Sequence, residues 1–331
     1  MTKMTNQEIE QLIELYKNDV ETKAFEYLEK VETKTLQEPF GYILEGGGKR
    51  IRPILTILGA GFVGVEHTEA LDTAISMEIL HNFTLVHDDI MDGSELRRGR
   101  PTIHKKWDVA TGILAGDLMI GYACKLMPKK ELPNIFKLQK TFNDALIEVC
   151  VGQAYDLEFN TREDITVEDY INMVYKKTSY LLFSSLKMGA YLGEPSQELI
   201  DNLENCGKYL GIAFQIQDDI LDLISSNPKF GKTQGQDLVE GKKTVLIIRT
   251  HELAEGTDRS IIDKFYQNNG IIKNDIPEML NLMEKLGVIE ESKKLASEYM
   301  DKAYEALSNI QDCTSKRVLK YIMDSLLIRT Y

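Results

Sequence analysis

Asp88-Asp89-Ile90-Met91-Asp92 and Asp218-Asp219-Ile220-Leu221-Asp222 repeat one acidic pattern at the polar ends of two apolar runs. On a helix, residues four apart stand one above the other. Asp88 with Asp92, and Asp218 with Asp222, therefore each present paired oxygens on one face. That much negative charge beside an apolar run calls for a compensating cation. An all-oxygen carboxylate set suits a hard octahedral ion that keeps its waters and shares a phosphate, which describes Mg²⁺. A solvated helix end accounts for one such stretch as well as a metal does. Two stretches, each preceded by apolar residues such as Phe83-Thr84-Leu85-Val86 and Ile212-Ala213-Phe214, favour the metal.

Basic residues cluster in loops beside these acidic ends. Lys49, Arg50 and Arg52 follow the turn Gly46-Gly47-Gly48, Arg97 and Arg98 follow the first acidic stretch, and Lys232 and Lys242 follow the second. Arg offers phosphate a planar fork and Lys a point charge, so the set suits more than one phosphate group. The order, carboxylate helix end and then basic loop, occurs twice. Glu78-Ile79-Leu80-His81 has the Glu-x-x-His spacing of di-iron bundles. His67, His87, His104 and His251 have no Glu three residues before them, so a second copy is missing and iron is disfavoured. No P-loop, nucleophile elbow or dinucleotide fingerprint is visible. Catalysis would then be electrostatic stabilisation of a metal-bound phosphate leaving group.

The elements that must position these groups are helices. Thr5 and Glu8 form a capping box opening a first helix to about Val31, and an apolar helix starts near Pro53. Further helical patterns run from about Thr68 to the first acidic stretch, then Lys105 to Met127, Asn134 to Glu158, Thr166 to Leu192 and Ser196 to Leu223. Gly93 to Pro101 and Ser225 to Gly241 read as loops, and shorter helices fill the rest. Alternating strand patterns are nearly absent, so the predicted class is all-α. The 331 residues contain no linker or low-complexity stretch, which favours one large domain over 1–331. The net charge of −13 argues against nucleic acid and anionic membrane surfaces as partners. No uncharged apolar stretch is long enough to span a bilayer. The four cysteines, Cys124, Cys150, Cys206 and Cys313, lack CxxC spacing and read as reduced core residues of a cytoplasmic protein without a leader peptide.

At this point the chain resembles the trans-isoprenyl diphosphate synthase (polyprenyl synthetase) family along nearly its whole length. Gly47 to Pro53 resembles the family's GGKRxRP, and Asp88 to Gly99 its DDxxD(x)4RRG. Gly116-Asp117, Gly152-Gln153 with Asp156-Leu157, and Lys177-Thr178 match its GD, GQxxDL and KT elements. Phe214 to Asp222 matches FQxxDDxxD, and Gly231-Lys232, Gly235, Asp237-Leu238 and Glu240-Gly241-Lys242 match the segment that follows. The family's KxTLP departs here to Lys242-Lys243-Thr244-Val245-Leu246, without the proline.

The resemblance implies a bundle of mostly antiparallel helices around a deep cavity, usually as a homodimer. It implies isopentenyl diphosphate and an allylic diphosphate as substrates. Asp88, Asp92 and Asp218 would coordinate three Mg²⁺ ions, with Asp89 and Asp222 in support. Arg97, Lys177, Gln215, Lys232 and Lys242, with Thr178 beside Lys177, would serve the allylic diphosphate. Lys49, Arg52, His81 and Arg98 would hold isopentenyl diphosphate. Product length would be set on the helix before the first acidic stretch. Phe83 precedes Asp88 by five residues, about 7.5 Å along the axis at about 1.5 Å per residue, and Thr84 is small. An aromatic at the fifth position alone resembles the archaeal-type geranylgeranyl (C20) synthases, whereas aromatics at both positions resemble farnesyl (C15) synthases. A terpene cyclase lacks the second DDxxD pattern and the second diphosphate pocket, and a non-catalytic partner subunit has typically lost both acidic stretches.

Overall fold

The computed structural model describes residues 4–128, 132–224 and 234–327. Among them the only strands are a two-stranded ribbon, Leu96–Arg97 (β1) with Arg100–Pro101 (β2), and the other regular elements are helices. The chain divides into two compact units, the first from the described residues of Met1–Ile147, Leu181–Gly207 and Glu305–Leu327, the second from those of Glu148–Tyr180 and Lys208–Tyr304.

The helices of the first unit begin with α1 (Asn6–Leu28), opened by the expected Thr5–Glu8 capping box, and α2 (Lys34–Glu45). The sequence reading missed α2 because Pro39 lies inside it, where a proline removes one hydrogen bond. Then come α3 (Ile51–Gly61), α4 (His67–Met91), α5 (Ile103–Lys106) and α6 (Val109–Lys125), capped by Asp108. Helix α7 (Ile135–Phe159) gives its first half to this unit. Helix α3 is buried almost all round, from Pro53 to Ala60, and packs on α1, α4 and α16 (Thr314–Leu327). A Cβ at Gly59 would stand 2.0 Å from Leu186 O, and one at Gly189 would stand 1.8 Å from Thr56 O. This backbone contact with α9 (Tyr180–Ala190) fixes α3, whose N-terminus carries Arg50 and Arg52. Helix α4 buries Ala74, Ile75, Met77, Ile79 and Leu80 completely and ends at the first acidic stretch.

The second unit is built from the rest of α7, α8 (Val167–Val174), most of α10 (Gln197–Ile224), α11 (Gln236–Val239), α12 (Val245–Leu253), α13 (Gly256–Asn268), α14 (Ile276–Lys285) and most of α15 (Val288–Ser308). Its core gathers Ile216, Ile220, Ile247, Ile262, Phe265 and Met283. The single helix expected over Thr166 to Leu192 is interrupted by a π-helical turn, Tyr175–Ser179, and α11 lies inside the stretch expected to be loop. Of the cysteines only Cys206 is buried; Cys124 and Cys150 are exposed and Cys313 intermediate, so the core assignment holds for one of the four. No described helix is long and apolar enough to cross a membrane.

Candidate active site

In the first unit Arg50 adopts a left-handed backbone, φ 51°, and its side chain turns inward. Its Nη1 donates to Glu78 Oε1 at 2.7 Å, its Nε to Glu21 Oε1 at 2.9 Å and its Nη2 to Leu44 O at 2.5 Å. Arg50 and Glu78 are 4 % and 3 % exposed, so this arginine is structural. Glu78 is thereby explained by Arg50, and the Glu78-x-x-His81 spacing needs no metal. Lys49 is exposed. Arg52 Nη1 donates to His81 Nε2 at 3.0 Å, while Arg52 Nε is buried without a hydrogen-bond partner.

The β1–β2 ribbon turns through Arg98 (φ 53°) and Gly99 (φ 73°), both left-handed as a tight two-residue hairpin requires. The turn lays the Arg98 guanidinium on the Gly47 carbonyl oxygen. Arg97 donates through Nε to Asp89 Oδ1 at 2.7 Å and approaches Asp88 Oδ2 at 3.9 Å. Burial and the surrounding Arg52, Arg98, Arg97 and Arg50 hold His81 well below its ordinary 6.5. Burial, with Arg98, pushes Arg52 down to about 10. These cations crowd one another, and an anion relieves the crowding.

Asp89 is buried, and burial raises its carboxyl to about 6 against the pull of Arg97. Asp88 and Asp92 are partly exposed, one turn apart at the C-terminal end of α4. Asp218 is exposed and Asp222 half-buried at the C-terminal end of α10. Neither helix has a basic residue in its last turn. A helix C-terminus carries partial negative charge, so a pair of carboxylates at each of these ends is unfavourable without a cation. Among the described residues no three His, Cys, Asp or Glu side chains converge into a metal site of their own. Mg²⁺ takes one or two carboxylates and fills its shell with water and phosphate oxygens. Oxygen-only pairs at negative helix ends fit that ion.

The second unit holds a cleft lined by Asp156, Tyr170, Lys177, Thr178, Gln215, Asp218, Asp219, Asp237, Lys242 and Lys243, among others. Lys177 and Thr178 sit in the π-helical turn, a deformation common at functional sites. Neighbouring helices pack closely on it. A Cβ at Gly152 would stand 2.4 Å from Lys177 N, and one at Gly211 would stand 2.5 Å from Ser179 Cα. Lys177 Nζ donates to Asp156 Oδ2 at 2.6 Å. A hydrogen-bond chain then runs from Thr178 Oγ1 to Gln215 Oε1 (3.0 Å) and from Gln215 Nε2 to Asp219 Oδ1 (2.9 Å). The buried Tyr170 hydroxyl closes it on Asp219 Oδ2 at 2.5 Å. Burial, with Asp237 and Asp218 close by, raises Asp219 strongly. Asp222 Oδ2 accepts from Asp237 N at 3.0 Å, at the start of α11. Lys242 Nζ lies 3.2 Å from Glu240 Oε2. Lys232 lies outside the described residues.

Asp89 and Gln215 thus hold other side chains in place, and Arg50 is structural although it stands in the basic loop. Tyr170 was missed from sequence; its place seven residues before Lys177, on one helix face, was the available signal. Gln153, to which the sequence assigns no separate role, is 7 % exposed with both amide atoms buried and without a partner. A cavity of about 640 Å³ in the first unit, lined by Tyr16, His67, Cys313 and others, contains none of these residues.

Comparison with known proteins places this arrangement. Residues 33–283 match the family model "Polyprenyl synthetase". The geranylgeranyl diphosphate synthase of Methanosarcina mazei is 36 % identical over 308 residues, 92 % of this chain and 93 % of that protein. The short chain isoprenyl diphosphate synthase of Methanothermobacter thermautotrophicus is 32 % identical, covering 98 % of this chain and 99 % of that protein. The crystal structure of geranylgeranyl pyrophosphate synthetase from Pyrococcus horikoshii superposes with a TM-score of 0.90 at 34 % identity, covering 97 % of this chain and 98 % of that one. With a match of this extent, paired carboxylates at two helix ends and a crowded arginine pocket, the chain belongs to the polyprenyl synthetase family of trans-prenyltransferases.

Proposed function

We propose that the chain is a geranylgeranyl diphosphate synthase, joining isopentenyl diphosphate to an allylic diphosphate and releasing diphosphate. The observation that carries the reading is the arginine cluster around a neutral His81, with Arg52 Nε buried and unsatisfied. Such a pocket gains stability when a doubly charged phosphate group enters. In this reading Lys49, Arg52, His81 and Arg98 bind isopentenyl diphosphate. Arg97, Lys177, Lys232 and Lys242 bind the allylic diphosphate, Lys177 and Lys242 from the second unit's cleft, which Thr178 and Gln215 also line. Asp88, Asp92 and Asp218 would hold Mg²⁺, supported by Asp89 and Asp222, and Mg²⁺ bound there would neutralise the charge growing on the departing diphosphate.

Lys177 and Lys242 add fixed positive charge for that leaving group. As the allylic C–O bond breaks, the isopentenyl double bond attacks the freed carbon, a C–C bond forms, and the proton lost from the isopentenyl unit goes to the released diphosphate. The C20 product is supported by Phe83, 6 % exposed on α4, beside the small Thr84, and by the activities named for the relatives. A cytoplasmic homodimer accords with the resemblance, and Val109, Ile113 and Leu114, 44 to 54 % exposed on α6, offer an apolar face for it.

The test is incubation with isopentenyl diphosphate, Mg²⁺ and, separately, dimethylallyl, geranyl and farnesyl diphosphates, followed by product chromatography. A C20 prenyl diphosphate supports the proposal. Accumulation of C15 makes the protein a farnesyl synthase, a released hydrocarbon makes it a cyclase, and no turnover makes it a partner subunit.

A further inference from the structure

The segment carrying Lys242 is fastened from behind. Gly241, at φ 74°, lies so close to the end of α13 that a Cβ there would stand 2.3 Å from Asn269 O. Ile271 N donates to Leu238 O at 3.1 Å, and Lys242 N to Asp237 O at 2.9 Å. Asn269 is itself left-handed, φ 49°, a conformation asparagine tolerates better than most residues.

The Lys243 ammonium completes the fastening. It donates to Gly241 O at 3.2 Å and to Asn269 Oδ1 at 3.3 Å, and stands 4.7 and 4.8 Å over the rings of Phe265 and Tyr266. Lys243 is 4 % exposed, and no carboxylate among the described residues lies within ion-pair distance of it. Burial pushes its amine down to about 8, with Glu163 pulling the other way. A buried cation with no counter-charge within ion-pair distance works against folding. An apolar side chain of the same length would fill the slot without that penalty, so stability alone does not explain a lysine here.

We infer that Lys243 is a positioning residue for the diphosphate site: its ammonium clasps the Gly241–Lys242 turn to Asn269 and aims Lys242 into the cleft it shares with Lys177 and Asp218. The inference rests on the synthase reading above. A small shift of a charge aimed at a leaving group weakens its effect sharply, which gives the clasp its value.

Titration of the purified protein with inorganic diphosphate in Mg²⁺ tests this without turnover. In Lys243→Met we expect binding about tenfold weaker, a raised KM for the allylic diphosphate, and an unchanged KM for isopentenyl diphosphate. Lys243→Arg keeps a cation within reach of the same oxygens and recovers most of the affinity. Wild-type diphosphate affinity and allylic KM in Lys243→Met overturn the inference, whatever the Tm does. If Lys243→Met does not fold, Asn269→Gly replaces it. Glycine takes the left-handed conformation freely and lacks the Oδ1 acceptor, so weaker binding supports the clasp and unchanged binding overturns it. Wild-type protein that binds no diphosphate overturns the synthase reading along with the clasp. Wild-type binding that survives Lys243→Met overturns the clasp alone.

Discussion

The Arg52 guanidinium donates to Nε2 of His81 at 3.0 Å, so the imidazole is neutral, with its proton on Nδ1. His81 stays below its ordinary 6.5 in the folded chain, because burial and the four arginines around it oppose a second positive charge. Unfolded, it binds a proton as pH falls through about 6.5. The unfolded state therefore holds more protons below that pH, and native stability declines with acidification while staying flat above it. His81→Gln keeps an acceptor for Arg52 and removes this slope. Thermal unfolding of both proteins between about pH 5.5 and 7.5 checks it: the variant gains on wild type only on the acid side. Parallel curves would mean that His81 titrates normally.

The Arg50–Glu78 pair predicts a stability effect rather than a catalytic one. Glu78→Gln leaves the Arg50 guanidinium, 4 % exposed, without its closest counter-charge. Breaking a buried pair from one side costs about 3 to 5 kcal/mol. Urea denaturation should show that loss. The residual activity of the folded fraction should keep its product length, since Phe83 and Thr84 are untouched.

Much of this was legible in the sequence, and the failures have physical causes. The period of apolar residues marked α1, α3, α4, α6, α7, α8 with α9, and α10, while beyond Gly241 it gave only shorter helices without bounds, and the Thr5–Glu8 cap appeared where expected. Helix α2 escaped because Pro39 is disfavoured inside a helix, yet there it is buried and held by tertiary packing. The π-helical turn escaped because one extra residue in a turn barely disturbs apolar spacing. Gly152 and Gly211, both inside helices, were its only trace. The acidic pairs could be read from spacing alone, since both partners lie on one helix. Which of the clustered cations would be structural could not, because Arg50 finds Glu21 and Glu78 some 28 residues away in either direction.

Gln153 separates stability from function. Both amide atoms are buried and unsatisfied, and an amide left so destabilises the fold by about 1 to 3 kcal/mol. Gln153→Leu should therefore raise or leave unchanged the Tm. If the amide is kept for substrate, kcat/KM should drop by about tenfold or more in the same protein. A variant that is both less stable and fully active would show that the amide has only a packing role.

Phe83 decides between a chain-length stop and ordinary core. Its ring packs edge-on against the His87 imidazole, with centroids 4.8 Å apart, and Leu80 and Met77 lie fully buried about one and two turns further from the acidic stretch. Thr84 turns its hydroxyl back to His81 O at 2.8 Å, which leaves its side of the helix slim. Phe83→Ala should let the chain grow past C20 to a floor made by Leu80 or Met77, while Thr84→Phe should shorten the product toward C15. Chromatography of the dephosphorylated alcohols reads both. Removing a buried phenyl ring also costs about 3 to 5 kcal/mol in a well-packed core, so a fall in Tm is expected under either view. Only product length discriminates: a destabilised Phe83→Ala protein that still stops at C20 moves the stop deeper, to Leu80 or Met77.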